Sequence, residues 1–539
     1  MKHLFFQLMK STAAFLSVIV LLVSLSQAAE SKSGQNTEQN YRHQNIVNQK
    51  EASSLEEGIS EEEMERRVVE LDLKKAVKFT LQWNREVAIA GYNPKIAKED
   101  LQAANSVYDF ALFSKGGAVR VNRPTQTLLD TGSEDIDALI EDRLLAQVGI
   151  KKHFLTGGTI SFYQELDFLN SNSEFVTPNS QNTSRLKTLI SQPLLKNIGD
   201  QENRAKIETA TANISVSSQE ERQQIINVIY NVINAYWQVH LERSLFVLNQ
   251  KNLQMAETIL QREKDRFAQD ISKQLDVDRA LSAVENRRSR RIRNENRLQL
   301  EVNQLKLLLN SPLLPLSAPV MDMVPIEIPE LELPAISLSK ILAEGLQNRP
   351  EIIITKNKLN VAEINKKLAD HMCLPTLDAS VDYTLNSLGT NVQEALHNVY
   401  GDNRESWSVW LDFEYPIGNK GADAEYRKAQ FEYQQAREGF QHTQEVVQKE
   451  IRSSVQDVIL SNQQIDATLE AQQAAKRVLN SEMARYELAR TSNKDLLQAQ
   501  DIQAAAEREH LRSVVYYNLK LAQLYRSNGS LLEMIKSKL

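Results

Sequence analysis

Residues 444–486 read QEVVQKEIRSSVQDVILSNQQIDATLEAQQAAKRVLNSEMARY, a stretch with neither glycine nor proline. Apolar residues recur in it at spacings of three and four, and Gln, Glu, Lys and Arg fill most positions between them. The recurring residues include Val447, Ile451, Val455, Val458, Leu469, Ala475, Leu479, Met483 and Tyr486. This spacing predicts a long amphipathic helix with a coiled-coil-like apolar seam.

The stretch belongs to one of two long tracts that lack helix breakers. Asp200–Ser311 contains neither glycine nor proline, and Ala422–Asn528 contains no proline and one glycine, Gly439. Helices average about 11–12 residues, so both tracts predict unusually long ones. Each tract also contains a polar turn candidate, Asp270–Lys273 in the first and Arg490–Asn493 in the second. We therefore expect two helical hairpins with arms of about 80 Å.

The composition excludes several classes of protein. The chain has 539 residues, of which 42% are hydrophobic and 25% charged, so it is neither disordered nor collagen-like. A net charge of −7 gives no basic field for nucleic acid. The single cysteine, Cys373, excludes an intramolecular disulfide framework and a cysteine-rich metal site. Phosphate-loop, zinc-protease and nucleophile-elbow motifs are absent, so we predict no catalytic residues, metal or cofactor.

The first residues predict export. Lys2 and Lys10 precede or flank an apolar run, Ser11–Leu25, which ends in Ser26-Gln27-Ala28. A charged start, an apolar core and small residues at the cleavage positions predict a signal peptide over residues 1–28. A membrane anchor is the alternative, but the run is short for a span of about 20 residues. Residues 29–65 are polar and rich in glutamate, which predicts a flexible acidic lead-in.

The rest of the chain shows an internal duplication. Leu71–Val87 and Ile336–Ile352 are similar amphipathic helix starts, and an alternating stretch predicting a strand precedes each long tract. The expected organisation is a first repeat at 66–311, a proline-rich linker at 312–335 and a second repeat at 336–539. Leu145–Phe154 and Thr159–Phe168 form a further apparent hairpin around Thr156-Gly157-Gly158, which leaves the strand count of the first repeat open.

These features together resemble the TolC-like outer-membrane efflux protein family. The resemblance is carried by a doubled helix start, Leu-x-Leu-x-x-Ala at 71–76 and Ile-x-Leu-x-x-Ile at 336–341, by the Gln192–Leu195 and Tyr415–Gly418 strand-to-helix junctions, and by the doubled hairpin turn. It implies a mainly α fold with a membrane β-barrel, in which each chain of a homotrimer gives four strands to a 12-stranded barrel and long helices to a periplasmic tunnel. Four strands cannot close a barrel alone, and a bilayer tolerates no open strand edge, so the implied trimerisation would close the barrel.

The resemblance also implies a function and partners. The chain would be the outer-membrane channel of a tripartite efflux or type I secretion system, in contact with outer-membrane lipid, a periplasmic adaptor and an inner-membrane pump. The alternative is a periplasmic coiled-coil adaptor or scaffold without a barrel. An adaptor would carry a lipoyl-like domain beside one hairpin, whereas this chain has two hairpins and paired strands. Small toxic molecules, metal ions and secreted proteins all remain possible cargoes.

The resemblance places a periplasmic gate near the second hairpin turn. Asp495 matches the first of two aspartates common at the family's entrance, and Gln498 occupies the place of the second. Three copies of Asp495 would form a carboxylate ring that favours cations. The alternative is that Asp495 is an early-turn acid that stabilises a helix N-terminus, as Asp276 would be in the first hairpin.

Other gate and docking residues follow from the same comparison. The family's entrance arginine falls at Thr491, beside Arg490, and Tyr486 either hydrogen-bonds across the entrance or packs in the seam. The glycine usual in the turn is Asp270 in one hairpin and Ala489 in the other. The residues predicted to contact the adaptor lie in the turns: Ser272, Lys273, Ser492 and Asn493.

Two further clusters have ordinary and functional interpretations. Six arginines lie between residues 287 and 297, beside Glu285 and Glu295. In an acidic exported chain they predict an ion-paired helix surface and not a nucleic-acid site. Trp407 and Trp410 flank a predicted strand and either join a membrane-interface aromatic girdle or pack in the fold.

Overall fold

The computed structural model describes residues 68–133, 135–316, 322–401, 404–488 and 490–538. The predicted signal peptide, 1–28, and lead-in, 29–65, lie outside the described residues. The described chain divides into two compact units. The smaller contains residues 68–71 and 322–326, and the larger contains the remaining described residues.

The smaller unit is a two-stranded parallel pair. Strand β1 (Val68–Leu71) pairs with β6 (Asp322–Pro325), with Leu71 opposite Pro325. The Ile326 amide extends the pair by donating to the Leu71 carbonyl at 3.2 Å. Part of the segment predicted as a linker is therefore a strand, which its prolines allow because β6 is an edge strand.

The larger unit is mainly helical. Its helices are α1 Leu73–Trp83, α2 Arg85–Ala90, α3 Asn93–Ser106, α4 Leu128–Thr131, α5 Asp200–Ala268, α6 Gln274–Leu309, α7 Leu338–Asn348, α8 Pro350–His371, α9 Val392–Asn398, α10 Lys420–Glu487, α11 Asn493–Ser527 and α12 Leu531–Lys538. The two breaker-free tracts form α5 with α6 and α10 with α11, so both predicted hairpins are present. Their arms are unequal, because α5 and α10 have 69 and 68 residues whereas α6 and α11 have 36 and 35. At 1.5 Å per residue the long arms span about 100 Å and the short arms about 53 Å, instead of two arms of about 80 Å.

The apolar seam of α10 is buried as its spacing predicts. Ile451 and Val458 are fully buried, and Val447, Leu479 and Tyr486 are nearly so. Seam residues from both hairpins meet in one cluster that includes Ile259, Val284 and Leu496. Leu469 and Met483 are the exceptions in the predicted seam, since each is 38% exposed.

The strands of the larger unit form one antiparallel sheet. They are β2 Ala111–Pro124, β3 Ala138–His153, β4 Thr159–Ser171, β5 Gln181–Pro193, β7 Thr376–Gly389 and β8 Glu405–Glu414. Their order in the sheet is β2-β3-β4-β5-β7-β8, so the first repeat supplies four strands and the second supplies two.

The additional hairpin predicted around Thr156-Gly157-Gly158 is confirmed as β3 and β4. These strands pair along their length, from Glu141 with Ser171 to His153 with Thr159. The sheet of the described chain has six strands, whereas the resemblance implied that each chain gives four. Period-two alternation on both sides of the Thr156-Gly157-Gly158 turn is the physical reason, because it lets both strands join the sheet. The predicted class, mainly α with a sheet, is confirmed. None of the described helices combines the length and apolarity that a membrane span requires.

Candidate functional site at the hairpin tips

The backbone closes the two hairpin tips differently. Between α5 and α6, Asp270 takes a left-handed φ of 56°, which explains how a non-glycine residue occupies this turn. The Ile271 amide donates to the Arg266 carbonyl at 2.9 Å. Between α10 and α11, the Arg490 amide donates to the Arg485 carbonyl at 2.8 Å. Ala489 lies outside the described residues.

Glu263, near the end of α5, is the buried centre of the first tip. It is only 3% exposed, and the Ser272 hydroxyl donates to its Oε2 at 2.7 Å. The Tyr486 hydroxyl donates to Oε1 of the same carboxylate. Arg266 lies 3.7 Å from that carboxylate and also covers the Tyr486 ring, 5.2 Å from its centroid. One buried acid therefore ties the turn of the first hairpin to the end of α10 in the second.

The same arrangement holds Tyr486 in its neutral form. Burial, followed by the hydrogen bond to Glu263, raises the pKa of Tyr486 to about 12 from an ordinary value of 10.0. Ionisation of Tyr486 would bury a negative charge beside the Glu263 carboxylate, so both the loss of solvation and the repulsion between like charges oppose it. Tyr486 is thus a buried seam residue that also hydrogen-bonds to the other hairpin of its own chain.

The second tip is closed by an exposed cap. Ser492 is the N-cap of α11: its hydroxyl accepts from the Asp495 amide at 3.3 Å and donates to Asp495 Oδ2 at 2.7 Å. The Thr491 hydroxyl lies 3.4 Å from the same oxygen. These contacts, with the Ser492 hydroxyl the largest, lower the pKa of Asp495. Asp495 therefore has the local capping role that the sequence offered as the alternative to a pore ring.

Asn493 joins the two tips. It is the first residue of α11 rather than a turn residue, it is 4% exposed, and its amide donates to the Asp276 carbonyl at 2.8 Å. Asp276 is half-buried and lies 3.4 Å from Arg279. Lys273, the N-cap residue of α6, is exposed. Arg490 and Gln498 are exposed as well. The predicted site residues thus lie together, in two classes: buried residues that join the tips and exposed residues that surround them.

A second set of contacts between the hairpins lies about four turns along α6 from the first tip. Arg287 on α6 is 5% exposed; it donates to Gln500 Oε1 at 2.7 Å and to the Asn252 carbonyl at 3.3 Å. Asp501 lies 3.5 Å from both Arg287 and Arg290. The arginine cluster is accordingly ion-paired helix surface as predicted, except that Arg287 is buried between the hairpins.

Sequence reasoning missed three residues of this site, namely Glu263, Arg287 and Gln500. A signal was present in each case, because each continues an apolar stripe at helical spacing. Glu263 follows Ile259 and Leu260, and Gln500 follows Leu496 and Leu497. A polar residue at a seam position is buried by its neighbours and needs a partner from another helix. Within the described residues, no group of His, Cys, Asp and Glu has the arrangement of a metal site.

Comparisons with known proteins agree with this architecture. A family model described as "Outer membrane efflux protein" matches residues 171–311 and 341–530. The CmeC outer membrane channel of Campylobacter jejuni is 15% identical with a TM-score of 0.64, and the match covers 86% of this chain and 89% of that one. VceC of Vibrio cholerae is 15% identical with a TM-score of 0.61, covering 85% and 96%. The MtrE outer membrane channel of Neisseria gonorrhoeae is 17% identical with a TM-score of 0.60, covering 85% and 89%. No curated protein matches the chain.

Proposed function

Because the chain belongs to the outer membrane efflux protein family, we propose that it is the exit duct of a tripartite efflux or type I secretion system. Family membership confirms the predicted localisation in the outer membrane. The observation that carries the proposal is the union in one chain of a six-stranded sheet with two long helical hairpins. A barrel wall and a tunnel wall need both parts. The alternative, a coiled-coil adaptor or scaffold without a barrel, would not need a six-stranded sheet of this kind.

The duct is a homotrimer. In the described chain β2 and β8 are the edges of the sheet, and an unpaired edge cannot remain in lipid. Three copies supply each edge with a partner. The mature protein should therefore enter the outer-membrane fraction as a trimer that resists detergent until it is heated. A monomeric protein, soluble in the periplasm, would overturn this proposal.

Transport through the duct is passive, and the tips form its gate. Opening would separate the tips at the contacts that join them, Tyr486 with Glu263 and Asn493 with Asp276. The energy for cargo movement comes from an inner-membrane pump. No catalytic step is assigned to the chain.

A periplasmic adaptor contacts the exposed part of the tips. Ser492 and Lys273 are exposed there, whereas Asn493 is buried and becomes accessible only when the tips separate. Cysteines at Lys273 and Ser492, in a Cys373→Ser background, should crosslink to the adaptor. Gln441→Cys, on an exposed position of α10 far from the tips, is the matched control. Crosslinks confined to the linker at 312–335 would contradict this docking surface while leaving the trimeric duct intact.

A further inference from the structure

The additional hairpin, β3 with β4, continues the apolar face of the sheet, interrupted at its middle by Gln164, which donates to the Ser184 hydroxyl of β5 at 2.6 Å. Successive residues of a strand point to opposite faces, and directly paired residues share a face. One such row crosses all six strands: Leu112, Ile150, Phe162, Thr188, Tyr383 and Trp407. On the hairpin itself Leu144 pairs with Phe168 on this same face. All but one residue of the row are apolar or aromatic, which is the pattern of the lipid-facing side of a membrane barrel.

The opposite face of the hairpin is polar and internally neutralised. Arg143 donates to Asp167 at 2.8 Å, and Arg185 of β5 donates to Glu165 at 2.9 Å. Lys187 lies 3.4 Å from Glu165. Asp167 and Glu165 are 4% and 6% exposed, so these charges are held on the sheet surface by partners from adjacent strands. A charged face opposite an apolar face is typical of a barrel wall with an aqueous lumen.

Both ends of the hairpin are tied to the sheet. At the turn, the Gln192 amide donates to the Thr156 carbonyl at 2.9 Å, and Gly157 has a φ of 87°. A Cβ on Gly157 would lie 2.1 Å from the Asn197 carbonyl oxygen, so the turn packs directly on the junction between β5 and α5. At the other end Ala138 of β3 pairs with Pro124 of β2, and Leu169 of β4 pairs with Gln181 of β5. The hairpin is thus part of the wall along its length.

We propose that three copies of this chain close an eighteen-stranded barrel, in which β2 of each copy pairs with β8 of the next. This inference rests on the proposed trimeric duct and adds the size of its outer-membrane part. With strands about 4.8 Å apart and tilted by about 40°, eighteen strands give a backbone diameter of about 36 Å, against about 24 Å for twelve. The barrel is then wide enough that the helical gate alone limits the size of the cargo.

Cryo-electron microscopy of the purified trimer in lipid nanodiscs tests the strand count. The full chain should show eighteen strands. A variant lacking residues 138–171, which removes β3 and β4 and leaves β2 antiparallel to β5, should show twelve and a diameter smaller by about 12 Å. Twelve strands in the full chain would overturn the inference without touching the trimeric duct. Absence of a trimer, measured first by native mass spectrometry, would overturn the duct itself.

Spin labels on adjacent residues of β4 test the position of the hairpin independently of any deletion. In a Cys373→Ser background, a label at Phe162→Cys should be accessible to oxygen in lipid, and a label at Tyr163→Cys to a water-soluble nickel complex. Trp407→Cys on β8 is the lipid-facing reference, because it lies in the same row as Phe162. Access of the nickel complex to both β4 labels would place the hairpin inside the lumen as a plug, and would overturn the eighteen-stranded wall.

Discussion

The two hairpin tips have the same position in the two repeats but are closed by different chemistry. The first tip relies on a buried acid, Glu263, which receives Ser272 from its own turn and Tyr486 from the other hairpin. The second relies on an exposed pair, Ser492 and Asp495, which hydrogen-bond to each other, with the Thr491 hydroxyl 3.4 Å from the Asp495 carboxylate. Two contacts join the tips: the Tyr486 hydroxyl donates to the buried acid of the first tip, and the Asn493 amide donates to the Asp276 carbonyl. Five substitutions test this difference.

The largest effect is expected at Arg287. Arg287→Ala removes the hydrogen bonds to Gln500 and to the Asn252 carbonyl and leaves a cavity, which costs about 3 kcal/mol. Amide hydrogen exchange at the N-terminal half of α6 should speed up by about 100-fold. The matched control is Arg288→Ala, since Arg288 is half exposed and its ion pairs are worth less than about 1 kcal/mol. Equal exchange in the two variants would show that Arg287 does not join the hairpins.

The Tyr486→Phe variant tests the contact between the tips. Loss of one hydrogen bond to a buried carboxylate costs about 1–2 kcal/mol, so exchange at both tips should speed up by roughly 5- to 30-fold. If only the α10 end responds, Glu263 does not transmit the contact to the first tip.

The same hydroxyl predicts a pH dependence. The pKa of Tyr486 in the folded protein is about 12, above its ordinary 10.0, so the folded state holds the proton more tightly. This contribution to stability is present below pH 10 and is lost as the pH rises from 10 towards 12. The number of tyrosines that ionise can be followed by tyrosinate absorbance during a pH titration. The wild type should show one more group ionising near pH 12 than the Tyr486→Phe variant does. A difference near pH 10 would mean that the hydroxyl is free in solution.

Matched serine substitutions compare the tips directly. Ser272→Ala takes a donor from a buried carboxylate and should cost about 1.5 kcal/mol, whereas Ser492→Ala removes an exposed N-cap and should cost about 1 kcal/mol. Amide hydrogen exchange should become faster in α5 and α10 of the Ser272→Ala variant. In the Ser492→Ala variant the faster exchange should be confined to the first turn of α11. The reverse distribution would show that the second tip is the one that holds the pair together.

The smallest structural effect is expected at Asp495, where the substitution instead tests the gate. Asp495→Asn removes an exposed charge, so hydrogen exchange at the tips should change by no more than about twofold. In planar bilayers the cation preference of the trimer should fall, because three carboxylates are lost from one ring. Glu425→Gln, an exposed acid near the start of α10, is the control and should leave the preference unchanged. An unchanged preference in Asp495→Asn would leave this residue with its capping role alone.

The contrast also shows what the sequence could predict. Long helices followed from the breaker-free tracts, and β3 with β4 followed from alternation around Gly157 and Gly158, because both signals are local. Asp495 was singled out through the family resemblance, and its hydrogen-bond partner, Ser492, is three residues away in the chain. Glu263 continues a local apolar stripe but was not singled out, because its partner Tyr486 lies more than two hundred residues away in the chain. Arg287 was assigned to a solvated surface with its neighbours, and only the packing of α6 against α5 and α11 buries it.

The up-and-down order of the sheet limits how such a wall can change during evolution. Strand β2 leads away from α3 and β5 returns to α5, so each added strand reverses the direction of the chain. A single inserted strand would deliver the chain to the wrong side of the membrane for α5 to begin. Insertions must therefore come in pairs, and a three-fold assembly turns each pair into six strands. Under this parity rule the proposed trimer has no thirteen- to seventeen-stranded intermediates, and one duplicated hairpin widens the wall by about 12 Å in a single step.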